Sequence, residues 1–254
     1  DTSQMDWDAI DELLSPTNLK DTAASFPARA STGSDLAKLS WLSSLPLYIW
    51  QELDSIARKT ARLATIPSQI KPVMLFMLGK KGGGFRTIGV ISSFMRVVMM
   101  ALGPLFRQFD HLHSDPTDSA TGGAGGAEYA AFIAAATDET EAKLGTIIVR
   151  VLWDIRKLFD SIQPGILATE CQEGGLSPVA VALALSIHGA PRFLGLGNCF
   201  QGPIGGFHTS IVAGCTSSTT LCKRFIRLPI LAAREEEPSV QDWQHIDDVC
   251  QRAI

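Results

Sequence analysis

Three carboxylates carry the most chemistry in this chain. Asp154 follows an apolar, β-branched run, Thr146-Ile147-Ile148-Val149-Arg150-Val151-Leu152, with the length and composition of a buried strand. A carboxylate at the end of such a strand sits on a rigid mount, as a catalytic metal ligand must. Far downstream, Gln244-His245-Ile246-Asp247-Asp248-Val249 places two adjacent aspartates inside an otherwise strand-like segment. Neighbouring aspartates repel, and a packed sheet keeps them only if a cation or water satisfies them. Asp154, Asp247 and Asp248 together would make a three-carboxylate site for a hard divalent ion such as magnesium.

A second chemical feature is cationic. Gly79-Lys80-Lys81-Gly82-Gly83-Gly84-Phe85-Arg86-Thr87-Ile88 is a glycine-rich turn bracketed by Lys80, Lys81 and Arg86, between apolar runs at 73–78 and 87–91 that read as two strands of a hairpin. Such a tip can lay its side chains on a triphosphate, Arg by its planar fork and Lys as a point charge, or can simply be a solvated turn. It is not a Walker loop, because no Gly-Lys-Ser/Thr follows the glycines. A second glycine cluster, 121–126, has no strand leading into it and reads as connection.

Composition sets the frame for these residues. Hydrophobic residues make up 46% of 254 and charged residues 19%, values of an ordinary folded chain able to bury a sizeable core. Net charge is −4, which alone argues mildly against a nucleic-acid partner. The charge is unevenly placed, however: Lys71 to Phe109 holds no acidic residue but contains Lys71, Lys80, Lys81, Arg86, Arg96 and Arg107. The five cysteines are odd in number and lack paired short spacing, so they read as reduced packing residues of an intracellular protein. No apolar run reaches the roughly 20 residues of a membrane span.

The elements that must position the chemistry follow in order. Helices are expected over 7–14, 36–45, 47–63 and 93–106, the last interrupted near Gly103-Pro104; residues 15–30 give little signal. A small-residue helix, 127–143, leads to the strand before Asp154. An alanine-rich helix covers 177–188, glycine-punctuated strands fill 193–212, and a strand-to-helix turn at 211–220 opens a helix to Ala232. Glu235-Glu236-Glu237-Pro238 reads as loop. His188 and His208 read as packing or surface residues.

Taken in order, these pieces resemble the reverse transcriptases of retroelements, most closely the non-long-terminal-repeat and group II intron kind, over roughly residues 70–254. Lys80 to Ile88 is similar to the fingers hairpin, Asp154-Ile155-Arg156-Lys157-Leu158-Phe159-Asp160 to motif A, Ala213 to Ser218 to motif B, and His245-Ile246-Asp247-Asp248 to motif C. The resemblance implies an α+β right-hand polymerase: a helical extension at 1–66, fingers at about 67–95 and 163–212, and palm at about 96–162 and 213–254. The thumb expected after motif C is missing, which reads as a truncated copy.

The resemblance also implies roles. Asp154 and Asp247 would ligate two magnesium ions, about 3.5–4 Å apart in such sites, with Asp248 supporting one. Lys80, Lys81 and Arg86 would hold the triphosphate of a deoxynucleotide, Phe159 would exclude a 2′-hydroxyl, and Gly214 would let the backbone approach the templating base pair. The implied partners are an RNA template, a DNA primer and deoxynucleoside triphosphates, without a membrane; a retroelement origin suits the nucleus. Three departures stand out: Ala213 where the family commonly has Gln, His245 where it has Tyr or Phe, and Thr87 where it has Pro. They motivate an alternative, a catalytically silent relic that still binds nucleic acid.

Overall fold

The computed structural model describes residues 5–113, 117–119, 126–196, 199–204, 209–246 and 248–253. Four helices open the chain: α1 (Trp7–Leu13), α2 (Pro16–Ser25), α3 (Leu39–Ser44) and α4 (Leu47–Leu63). The hairpin β1 (Val73–Gly79) and β2 (Phe85–Val90) follows, then α5 (Ser93–Ala101), α6 (Gly103–Leu112) and α7 (Gly126–Lys143). Strand β3 (Val149–Asp154) leads through a short turn, α8 (Leu158–Ser161), into α9 (Pro164–Glu173) and α10 (Pro178–His188). The chain finishes with β4 (Arg192–Leu196), β5 (Cys199–Ile204), α11 (Ser218–Glu236), β6 (Gln241–His245) and β7 (Asp248–Ala253).

The class is α+β with two small sheets. One has the order β2-β1-β4-β5, and the other β3-β7-β6. In the first, β1 pairs antiparallel with β2 and parallel with β4; in the second all pairs are antiparallel.

One apolar cluster joins the helices, running from Ile10 and Trp50 through Met95, Val98 and Leu183 to Leu221 and Ile226. α5 sits at its centre, with Phe94, Met95, Val97, Val98 and Met99 all buried. Its N-terminus is held from the loop between α2 and α3: Asp35 accepts the Phe94 amide at 3.0 Å, and the Ser93 hydroxyl donates to the Ala37 carbonyl at 2.6 Å. The N-terminal helices therefore share the core of the remainder.

The three-stranded sheet lies at the margin of that core. Its one buried apolar residue among those described is Val249, beside the buried polar residues Asp242, Gln244 and Arg252. α11 covers one face, clamped by a bidentate pair in which Arg234 Nη2 donates to Asp242 Oδ2 at 2.8 Å. β3 is an edge strand, and the expectation of a buried one fails: Val149, Val151, Leu152 and Trp153 are exposed. β-branched composition marks a strand but not its place in the sheet, and only β7 pairs with β3.

Other expectations are adjusted too. α2 forms where little was expected, with Pro16 at its first position. The helix over 93–106 is two helices that part at Leu102. Residues 211–214 are not strand, and α11 runs on to Glu236. Among the described residues no helix is long and apolar enough to cross a membrane.

Candidate functional site

The register of β3 with β7 sets Asp154 directly opposite Asp248. Antiparallel partners of this kind stand about 4.5–5.5 Å apart at Cα with side chains on the same face, so the two carboxylates are immediate neighbours. Both are exposed. Residues nearly a hundred positions apart are thus brought together by one strand pairing.

The turn beside them is unusual. His245 pairs with Asp248, so β6 and β7 join through a two-residue hairpin loop that opens with Ile246. Such loops demand positive φ at the first position, and Ile246 adopts φ +56°. A β-branched residue there costs about 1–2 kcal/mol, a strain that concentrates at functional turns. Asp247 itself lies outside the described residues. His245 is fixed by a 3.1 Å hydrogen bond between its Nδ1 and Ser119 Oγ, while Ser119 and Thr117 exchange backbone bonds with Gln244.

A cleft of about 760 Å³ opens beside Asp154. Its walls bring together Lys80 and Arg86 from the hairpin, Phe159 from the turn after β3, Gly214, and Ile246 next to Asp247. Lys81 stands exposed in the hairpin turn and does not line the cleft. Arg156 and Lys157 do line it, and sequence reasoning passed over both. Their only signal was position, two and three residues beyond Asp154. Lys157 has φ +54°, the left-handed backbone that turns the chain into α8. The cleft therefore carries four cations against Asp154 and Asp160, the electrostatics of a pocket for a polyanion.

The hairpin tip is shaped by its glycines. Gly83 and Gly84 have φ of +90° and +80°, and the Lys80 amide donates to the Gly84 carbonyl at 3.0 Å, closing the loop. Another wall is the end of the segment 210–214, whose Ala213 and Gly214 line the cleft and whose irregular backbone is satisfied almost group by group. The Ser210 amide donates to the Ile162 carbonyl (2.7 Å), that of Ile211 to Phe159 (2.8 Å), and that of Gly89 to the Ala213 carbonyl (3.0 Å). The Ser218 hydroxyl donates to the Val212 carbonyl at 2.6 Å.

Gly214 has a structural reason of its own beyond any ligand. Its φ is +101°, and a Cβ there would stand 3.0 Å from the Gly89 carbonyl oxygen. The cleft wall and the hairpin touch backbone to backbone.

Two side chains hold this wall: His188, which the sequence suggested as a packing or surface residue, and Arg192, which carried no signal there. His188 is buried, and its Nδ1 accepts the Val212 amide at 3.0 Å. Burial, reinforced by the Arg192 charge, lowers the imidazole pKa to about 3. Arg192, also buried, donates to the Ser210 hydroxyl (2.9 Å), the Ser210 carbonyl (3.1 Å) and the His188 carbonyl (3.0 Å). Burial lowers its pKa as well, partly offset by Asp160.

For a metal, Asp154 and Asp248 offer adjacent carboxylate oxygens. Among the described residues no three His, Cys, Asp or Glu side chains converge on one ion. Among the described residues no disulfide joins the five cysteines. No family model matches the chain, and no curated protein matches it.

Proposed function

We propose that this chain is the fingers-and-palm part of a reverse transcriptase, an RNA-directed DNA polymerase that extends a DNA primer on an RNA template. The observation that carries the reading is the pairing of Asp154 with Asp248, at the mouth of a cleft lined by Lys80, Arg86, Phe159 and Gly214. The ordered motifs that resemble the family in sequence are the ones whose residues meet here.

The donor chemistry fits magnesium. Two exposed carboxylates opposite each other on neighbouring strands repel, and a hard divalent cation between them removes that cost. Asp154 and Asp248 would hold it, with Asp247 added by its place in the chain. When bound, magnesium supplies charge neutralisation at the reacting phosphate and a more acidic primer hydroxyl.

The chain's own residues do the rest. Lys80 and Arg86, with Arg156 and Lys157, hold the triphosphate and offset the charge that grows on it during transfer. Half-buried Phe159 packs against the core while lining the cleft, which leaves its ring little room to retreat from the sugar at C2′. The 210–214 wall, locked by His188 and Arg192, gives the incoming base pair a rigid flank.

The test is primer extension on an RNA template with magnesium, comparing the chain with Asp154→Asn. A loss of at least about 100-fold in the variant is expected. Equal incorporation by both would remove the assigned role. Salt-sensitive duplex binding without incorporation by the unaltered chain would favour the silent relic instead.

A further inference from the structure

The sheet face that bears Asp154 and Asp248 at one end bears two arginines at the other. Side chains alternate along a strand, so Arg150, Leu152 and Asp154 share one face of β3. The register sets Arg252, Cys250 and Asp248 beside them on β7. Arg150 lies four positions before Asp154, about 13 Å along the strand.

One carboxylate serves both guanidinium groups. Asp138 of α7 places Oδ2 2.8 Å from Arg150 Nε and Oδ1 3.4 Å from Arg252 Nε. Arg252 is only 2% exposed, and Nη1 donates to Gln241 at 2.8 Å while Nη2 has no hydrogen-bond partner among the described residues. The arrangement is an anion site filled short of its capacity.

α7 is held over this site by little else. It buries no residue, and its Tyr129 and Phe132 are exposed. A helix normally takes its place from an apolar face, which is lacking here. Beyond Asp138, its described hydrogen bond to the sheet runs from Arg150 Nη2 to the Ala134 carbonyl at 3.0 Å. Leu152 is 80% exposed, so the helix does not extend to the carboxylate end.

We infer that Arg150 and Arg252 form a backbone-phosphate subsite for the template-primer duplex, and that Asp138 occupies it as a carboxylate stand-in until the duplex displaces α7. This rests on the polymerase reading, because it needs a duplex whose growing end lies at Asp154 and Asp248. A phosphodiester presents two charged oxygens to the guanidinium forks, where Asp138 now offers one oxygen to each Nε, so the exchange keeps the arginines paired. The 13 Å offset spans about four to five base-pair steps of an A-like duplex, which sets the grip behind the reacting end.

Hydrogen exchange of the unaltered chain, with and without an RNA–DNA duplex at low salt, tests this directly. Amides of 126–143 are expected to lose protection when the duplex binds; unchanged or greater protection overturns the inference. Mobility-shift titrations add a second reading. Asp138→Asn is expected to tighten duplex binding about 3- to 10-fold, and Arg150→Gln to weaken it and lower the salt slope by about one ion. If the chain binds duplex and Asp138→Asn does not tighten it, the subsite is wrong and the polymerase reading survives. If no chain binds duplex at all, both fall.

Discussion

His188 Nδ1 accepts the Val212 amide proton at 3.0 Å, and so fixes a helix end to the irregular wall of the cleft. The bond exists only while the imidazole is neutral. Burial and Arg192 lower its pKa to about 3, against an ordinary value of 6.5. Between those values the unfolded chain binds a proton that the folded chain refuses. This stability is therefore complete above about pH 6.5 and declines as pH falls through the window toward 3, by up to about 1.4 kcal/mol per pH unit. Urea unfolding at pH 7, 5.5 and 4.5 measures it. His188→Gln, which offers an acceptor that does not titrate, is expected to flatten the dependence; an identical slope in both chains would exclude His188 as its source.

The facing carboxylates of Asp154 and Asp248 should cost stability in the absence of a cation. Asp154→Asn or Asp248→Asn is expected to stabilise the metal-free protein by about 0.2–1 kcal/mol. Either change should also reduce the rise in melting temperature that millimolar magnesium produces. Thermal melts with and without the ion check both halves. A variant that melts lower and keeps the full magnesium effect would place the cation elsewhere.

Phe159 stands in the cleft wall two residues beyond Lys157, with its backbone tied to Ile211. Phe159→Ala should open the space at C2′ and raise ribonucleotide incorporation about 10- to 100-fold relative to deoxynucleotides, the order expected when a steric contact is lost. Single-nucleotide extension with paired ribo- and deoxy-substrates reads the ratio. Unchanged selectivity would assign the aromatic ring to packing alone.

Gly214→Ala meets two obstacles at once, a left-handed backbone and a carbonyl oxygen 3.0 Å from the new methyl. A loss of about 1–3 kcal/mol is expected in chemical denaturation. Because the strain falls in the cleft wall, nucleotide affinity should drop more than duplex affinity. A stability equal to the unaltered chain would mean that the two backbones can move apart freely.

Much of this architecture was legible in the sequence. The β1–β2 hairpin announced itself through apolar runs around glycines, and the strand leading to Asp154 through its β-branched residues. The meeting of Asp154 with Asp248 was suggested by residue type and given its order by the resemblance, since no local pattern encodes a contact across nearly a hundred residues. What stayed hidden is non-local. The exposure of β3 depends on which strand lies beside it, and the 210–214 segment looks like a strand although its partners are scattered over α10, β2 and the turn after β3. His188 carries no signature distinguishing a satisfied core histidine from one that holds a functional wall. Ile246 is disguised by its own residue type, because positive φ is the last conformation a β-branched side chain suggests. α2 went unseen because its polar, alanine-rich sequence gives a weak apolar stripe.

The contact between Gly89 and Gly214 has no side chain in it. A Cβ on Gly89 would overlap Val212 Cγ1 at 2.2 Å, and one on Gly214 would press on the Gly89 carbonyl. Hairpin and wall therefore travel as one heritable unit. A graft of either piece from another chain must import both glycines, and relatives of this protein should vary the cations at the tip far more readily than this small joint beneath it.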